Sequence, residues 1–167
     1  SIPAADAILN GKHIYHEKPM GMSFEEAKVV RAAVRRKGVV FQFGTQQRSD
    51  RDRFLRAVNM VQKGLLGDIQ TVTCSIGGGD VGGPFKTSAP PKELNWEMWQ
   101  GQAPANDYIK ERSHYQFRWW YEYSGGKMTD WGAHHVDIAT WGLDKTKTGP
   151  VSVEPVTVKH PVAFKDG

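Results

Sequence analysis

The stretch Asp130-Trp131-Gly132-Ala133-His134-His135-Val136-Asp137 places two carboxylates and two imidazoles on a segment that reads as a helix from about Met128 to Trp141, stopped by Gly142. At about 100° per residue, His134 falls about 40° to one side of Asp130 and Asp137 about 20° to the other, while His135 points about 140° away. Asp130, His134 and Asp137 therefore share a face. A carboxylate beside an imidazole fixes its tautomer and raises its basicity, which suits a proton-abstracting histidine near neutral pH. Gly132 on the same turn leaves room for a close approach to the backbone. The plainer alternative makes Thr129 or Asp130 an N-cap and His134 a satisfied core residue. A metal centre is the minor reading, because His135 faces elsewhere and three ligands converge at most.

A second chemical candidate is His16-Glu17-Lys18-Pro19, at the C-terminal end of a short strand pattern. Open α/β sheets hold their ligands at such strand ends, and a lysine there can hydrogen-bond a substrate oxygen. Alone, the Glu-Lys-Pro triplet also fits an exposed turn. Arg48 in Gln46-Gln47-Arg48 is a candidate for binding hydroxyls or an anion. The run Phe117-Arg118-Trp119-Trp120-Tyr121-Glu122-Tyr123 either stacks on a sugar ring or packs in the core, the second being the ordinary fate of aromatic residues.

These candidates need elements to place them. Ala4 to Asn10 followed by Gly11 reads as the last turns of a helix. The pattern His13 to Glu17 is a strand stopped by Pro19. Ser23-Phe24-Glu25-Glu26 fits a capping box that opens a helix reaching Lys37 and closed by Gly38, with Arg35, Arg36 and Lys37 complementing the dipole. Val39 to Phe43 is a buried strand, so strand, helix and strand make one right-handed parallel crossover. A further amphipathic helix runs from Asp50 to Lys63-Gly64. Ile69 to Ile76 alternates like a strand and puts Cys74 in a buried position; Val151–Glu154 and Val156–Lys159 are two more strand patterns. Between them, Pro84, Pro90, Pro91 and Pro104 punctuate a long loop.

The chain has 167 residues, the size of one or two domains, and its 39% hydrophobic and 24% charged residues are ordinary globular values. Twenty-two Lys and Arg against 18 Asp and Glu leave +4, spread along the chain, which suits an anionic ligand without requiring nucleic acid. No disulfide framework is possible with one cysteine. No apolar run approaches membrane-spanning length, and the first residues do not resemble a signal peptide, so the expectation is a cytoplasmic protein with neither membrane nor nucleic-acid partner.

Together, Gly11 to Met20 with its Glu17-Lys18-Pro19, and Gly125-Gly126 followed by Asp130, Gly132, His134 and Asp137, resemble the glucose-fructose oxidoreductase / inositol dehydrogenase family, Gfo/Idh/MocA, over nearly the whole chain. The resemblance implies a Rossmann-type dinucleotide-binding domain followed by an α+β domain with a mainly antiparallel sheet, here residues 1–44 and 45–167. It also implies NAD or NADP as cofactor and a sugar or polyol as substrate. Lys18 would then lie near the nicotinamide and the reacting hydroxyl, Glu17 and Pro19 beside it in a segment that is often cis at the proline. His134 would be the general acid/base and Asp130 would hold a substrate hydroxyl, with Arg48 and Asp137 as further substrate contacts.

One departure matters: no G-x-G-x-x-G occurs between a strand and a helix. The chain thus reads as a member lacking its first mononucleotide-binding half and the last strands of its second domain, inactive by itself. An opened sheet must be covered, which predicts a homo-oligomer. Other readings remain: a non-catalytic oligomerising module of the same fold; a metal-dependent hydrolase built on Asp130, His134 and Asp137; and nucleic-acid binding through Arg48, Arg51, Arg53 and Arg56.

Overall fold

A computed structural model describes residues 1–158 of the chain. The first helix, α1 (Ile2–Leu9), carries Pro3 in its first turn, where the missing N–H is harmless, and gives way to Asn10 and to Gly11 at φ 72°. Strand β1 (Ile14–His16) pairs in parallel with β2 (Phe41–Phe43), Ile14 facing Phe41 and His16 facing Phe43. Helix α2 (Phe24–Lys37) links them, its start capped by the Ser23 hydroxyl, which accepts from the Glu26 N–H at 3.2 Å, and its end by Gly38 at φ 63°. Only half of the expected capping box forms. The Glu26 carboxylate accepts instead from the Met22 N–H at 3.1 Å and from the Ser1 hydroxyl, a bond that lowers its pKa.

The apolar side of α2 supplies Val30 and Ala33 to a small core with Ile8 of α1, sealed by Ile14, Met20, Val34, Val39 and Phe41. Ile8 has no exposed surface. Truncation to alanine should therefore cost about 2–4 kcal/mol, the lost transfer energy plus a cavity that three elements cannot close. Denaturant unfolding of Ile8→Ala, read as a lowered midpoint at unchanged slope, checks this.

The second half is held differently. Asp50 caps a π turn, Arg51–Leu55, that leads into α3 (Arg56–Gln62). Around α4 (Trp96–Gln100), Trp96 stacks on Trp99 with centroids 4.9 Å apart, and Tyr108 and Tyr123 meet Trp96 edge-on. Within the run Phe117–Tyr123, Tyr123 is buried, Phe117 packs on Trp99 and Trp120 on Phe85, as core packing requires, but Tyr121 is 85% exposed. The last helix opens as a π turn, Met128–Gly132, and continues as α5 (Ala133–Gly142), which packs on α3.

Two expectations need correction. Among the described residues the sheet has two strands, both parallel; the segments 69–76 and 151–158 run without a ladder, and Lys159 lies outside the described residues. A strand pattern becomes a strand only when neighbouring N–H and C=O groups are there to pair, and these segments have none. For the same reason Cys74 is exposed, not buried. Ile76, by contrast, is partly covered: a Cβ built on Gly132 would lie 3.5 Å from it and 2.9 Å from Met128 Sδ, so the close approach at Gly132 is made by the chain's own side chains.

Candidate active site

β1 ends at His16, and Glu17, Lys18 and Pro19 follow at its C-terminal tip with a cis Lys18–Pro19 bond. The exit of β2 crowds this tip: a Cβ on Gly44 would lie 2.8 Å from Glu17 Oε2 and 3.1 Å from Glu17 Cα. Glycine is what the close passage of the two strand ends permits. From the tip, Lys18 reaches across 112 residues of sequence to the opening turn of the last helix. Its ammonium donates to Asp130 Oδ1 at 2.6 Å and to the Asp130 carbonyl at 3.0 Å. Both side chains are largely covered, 16% and 15% exposed.

Asp130 does not bond His134, contrary to the reading of the helix face. Its second oxygen, Oδ2, is taken by Arg118 Nη1. Two cations offer charge-assisted bonds that a neutral imidazole cannot match, and the π turn detaches Asp130 from regular α-helical spacing. Burial by itself would raise the Asp130 carboxyl; the Lys18 hydrogen bond and charge, with the Arg118 charge, outweigh it and hold the group below the usual carboxylate value.

His134 sits against this ion cluster, half-buried, with Nδ1 buried and lacking a hydrogen-bond partner among the described residues. Its pKa is lowered, first by burial and then by the Lys18 charge, while Asp130 pulls weakly the other way. The expected rise in basicity is thus reversed. The consequence is an imidazole more fully neutral at pH 6.5 than an ordinary histidine, and so free to accept a proton there.

The remaining two candidates pair with each other. Arg48, on the 3₁₀ turn Gln46–Ser49, grips Asp137 of α5 with both prongs, Nε to Oδ2 at 2.8 Å and Nη2 to Oδ1 at 2.9 Å, and lies 5.1 Å from the Trp141 ring centroid. The bidentate pair ties the turn after β2 to α5. His135 hydrogen-bonds the Trp131 carbonyl at 3.0 Å. Lys18, Asp130 and His134 are thus brought together, and Arg48 with Asp137 forms a second pair on the same helix. Arg118 is the member of the cluster that the sequence reading did not single out. It lies in an aromatic run with no periodic relation to Asp130, and no pattern in the sequence marks it.

Among the described residues no group of three or more His, Cys, Asp or Glu is placed to hold a metal ion, and no helix is long and apolar enough to cross a membrane.

Residues 57–165 match the oxidoreductase family's C-terminal alpha/beta domain. The chain belongs to the Gfo/Idh/MocA oxidoreductase family. Among its relatives is scyllo-inositol 2-dehydrogenase (NADP(+)) IolW of Bacillus subtilis (strain 168), 30% identical over 149 residues, which are 88% of this chain and 33% of that protein. The chain therefore spans about a third of the length of this curated relative.

Proposed function

We propose that this chain supplies the proton-handling and hydroxyl-binding part of an NAD(P)-dependent dehydrogenase acting on a sugar or cyclic polyol. The observation that carries the reading is the convergence of Lys18, Asp130 and a neutral His134 with an unpartnered buried nitrogen. Two of the three Lys18 N–H groups are spent on Asp130, leaving one for a substrate oxygen. That bond orients the hydroxyl and stabilises negative charge developing on it. The imidazole accepts the hydroxyl proton and becomes imidazolium as the carbinol carbon turns into a carbonyl. Arg48 retains three further N–H donors beyond those given to Asp137, enough for the pair to bind additional ring hydroxyls.

The nicotinamide ring, when bound, supplies the hydride acceptor. The residues present fit its reactive end: Lys18 stands at a strand tip beside His134, with Glu17 and Pro19 shaping the approach. They do not fit its pyrophosphate, since the sequence has no G-x-G-x-x-G between a strand and a helix. In this reading residues 1–44 belong to a dinucleotide-binding domain and residues 45–167 to the substrate domain, and the first half of the cofactor site comes from outside the chain.

Two measurements test this. Titration of the chain with scyllo- or myo-inositol, followed by NMR, should move the His134 ring and Lys18 side-chain signals first; shifts confined to other regions, or none, would sink the assignment. Calorimetry with NAD and NADP should give affinities weaker than micromolar, and a micromolar value would overturn the half-site reading.

A second reading, a non-catalytic module that associates through its sheet segments, is favoured by one observation. Val151, Val153 and Val156 are 105%, 84% and 96% exposed on an extended segment, a surface that self-association would cover. Light scattering that finds a homo-oligomer in the absence of any polyol response would support it over the first.

A further inference from the structure

Resting on the dehydrogenase reading, we propose that Arg118 is a positioning residue of the same centre: it holds the free oxygen of Asp130 and thereby fixes the direction in which Lys18 presents its remaining N–H to the substrate. Asp130 is a carboxylate with two oxygens and two cationic partners, Lys18 on Oδ1 and Arg118 on Oδ2. Held at one oxygen only, a carboxylate swivels about its terminal torsion, which is broad and weakly hindered. Held at both, it becomes a fixed anchor. Lys18 has four rotatable carbons and no carboxylate other than Asp130 among the described residues, so its ammonium is only as well placed as that anchor.

Arg118 is itself over-determined. Its Nε donates to the Tyr115 carbonyl at 3.0 Å, and its guanidinium carbon lies 3.9 Å from the Tyr115 ring centroid and 5.9 Å from that of Trp119. The turn that bears it, His114–Trp119, is pinned at its end by Trp120, whose indole N–H donates to the Glu111 carbonyl at 2.7 Å. Arg112 reinforces the same loop, pairing with Glu122 at 3.3 Å and lying 4.6 Å from the Trp120 ring centroid. A side chain 16% exposed, stacked on one face and bonded through two nitrogens, has lost the freedom of a surface arginine. Its charge is delivered to one atom.

Arg118 thus ties the turn His114–Trp119 to the Asp130 carboxylate. This gives the aromatic run a function that pure core packing leaves out.

The test uses the full chain. In Arg118→Met, the Asp130 carboxyl, followed by NMR, should titrate at higher pH than in the unsubstituted protein, and the Lys18 ammonium ¹⁵N signal, protected by its bonds to Asp130, should broaden and exchange faster. Arg118→Lys should restore the Asp130 titration in part, since the charge returns without the fork, and should restore the Lys18 signal less well. Inositol affinity should fall about tenfold in Arg118→Met and less than about twofold when the same substitution is made on Asp130→Asn, because the effect travels through Asp130. Should Arg118→Met not fold, Arg118→Gln and Arg118→Lys give the same ordering. An Asp130 titration and a Lys18 signal that stay put in a folded variant would overturn the proposal, as would an undiminished effect on Asp130→Asn. If the unsubstituted chain binds no polyol, the dehydrogenase reading fails on that arm, while the titration and the ammonium signal still decide the clamp.

Discussion

His134→Asn should lower polyol oxidation by about 10²–10⁴-fold when the chain is assayed with a dinucleotide-binding half in place, the loss that follows removal of a general base. Asparagine keeps the size and a polar edge but cannot take the proton. The effect should fall on kcat more than on KM, because Lys18 still holds the hydroxyl in the ground state. The pH profile supplies the sharper check. Burial and the Lys18 charge put His134 below its ordinary 6.5, so the acid limb of kcat/KM should lie below pH 6.5 in the unsubstituted protein and vanish in the variant. A limb at or above 6.5 would mean that another group is the base.

Lys18→Met should be nearly as damaging, lowering oxidation by about 10²–10³-fold, through loss of one directed charge-assisted bond to the developing oxyanion. Two titrations should move with it. His134 loses a positive neighbour and rises toward its ordinary value; Asp130 loses its hydrogen bond and most favourable charge and rises as well. Both groups are lowered in the folded chain, so between the unfolded and folded values the unfolded state binds more protons, and stability falls as pH falls. For His134 that loss begins at about 6.5 and continues down to its lowered folded value; for Asp130 it begins near 3.8. Lys18→Met should therefore flatten the acid side of the stability curve while lowering stability near neutrality, where it leaves Asp130 with one cation fewer. Denaturant midpoints measured from pH 2 to pH 8 on both proteins check the pattern; parallel curves would show that Lys18 does not set these pKa values.

Local chemistry was legible in the sequence wherever the chain answers to its immediate neighbours. Ser23 and Gly38 delimit α2 because a hydroxyl at the N-cap and a positive φ at the C-terminus depend on adjacent residues alone. The parallel pairing of residues 14–16 with 41–43 followed from two apolar runs joined by a helix of 14 residues, which admits little else. The approach of Lys18 to Asp130 and His134 was legible too, but through family resemblance, since no local rule links positions 112 residues apart.

What tertiary structure decided were the competitions. Asp130 had a histidine one turn away in sequence and chose two cations that only folding brings near; the neutral imidazole was then left to burial and to the Lys18 field, and its pKa moved the opposite way from the helical-wheel expectation. Arg48 and Asp137, each read as a free ligand group, found each other. The pattern at 69–76 predicted a buried strand and a buried Cys74, yet the outcome hung on partners that alternation does not encode. A sequence states which bonds each group is able to make, whereas the three-dimensional arrangement states which partner arrives, and between charged groups the stronger partner takes the place.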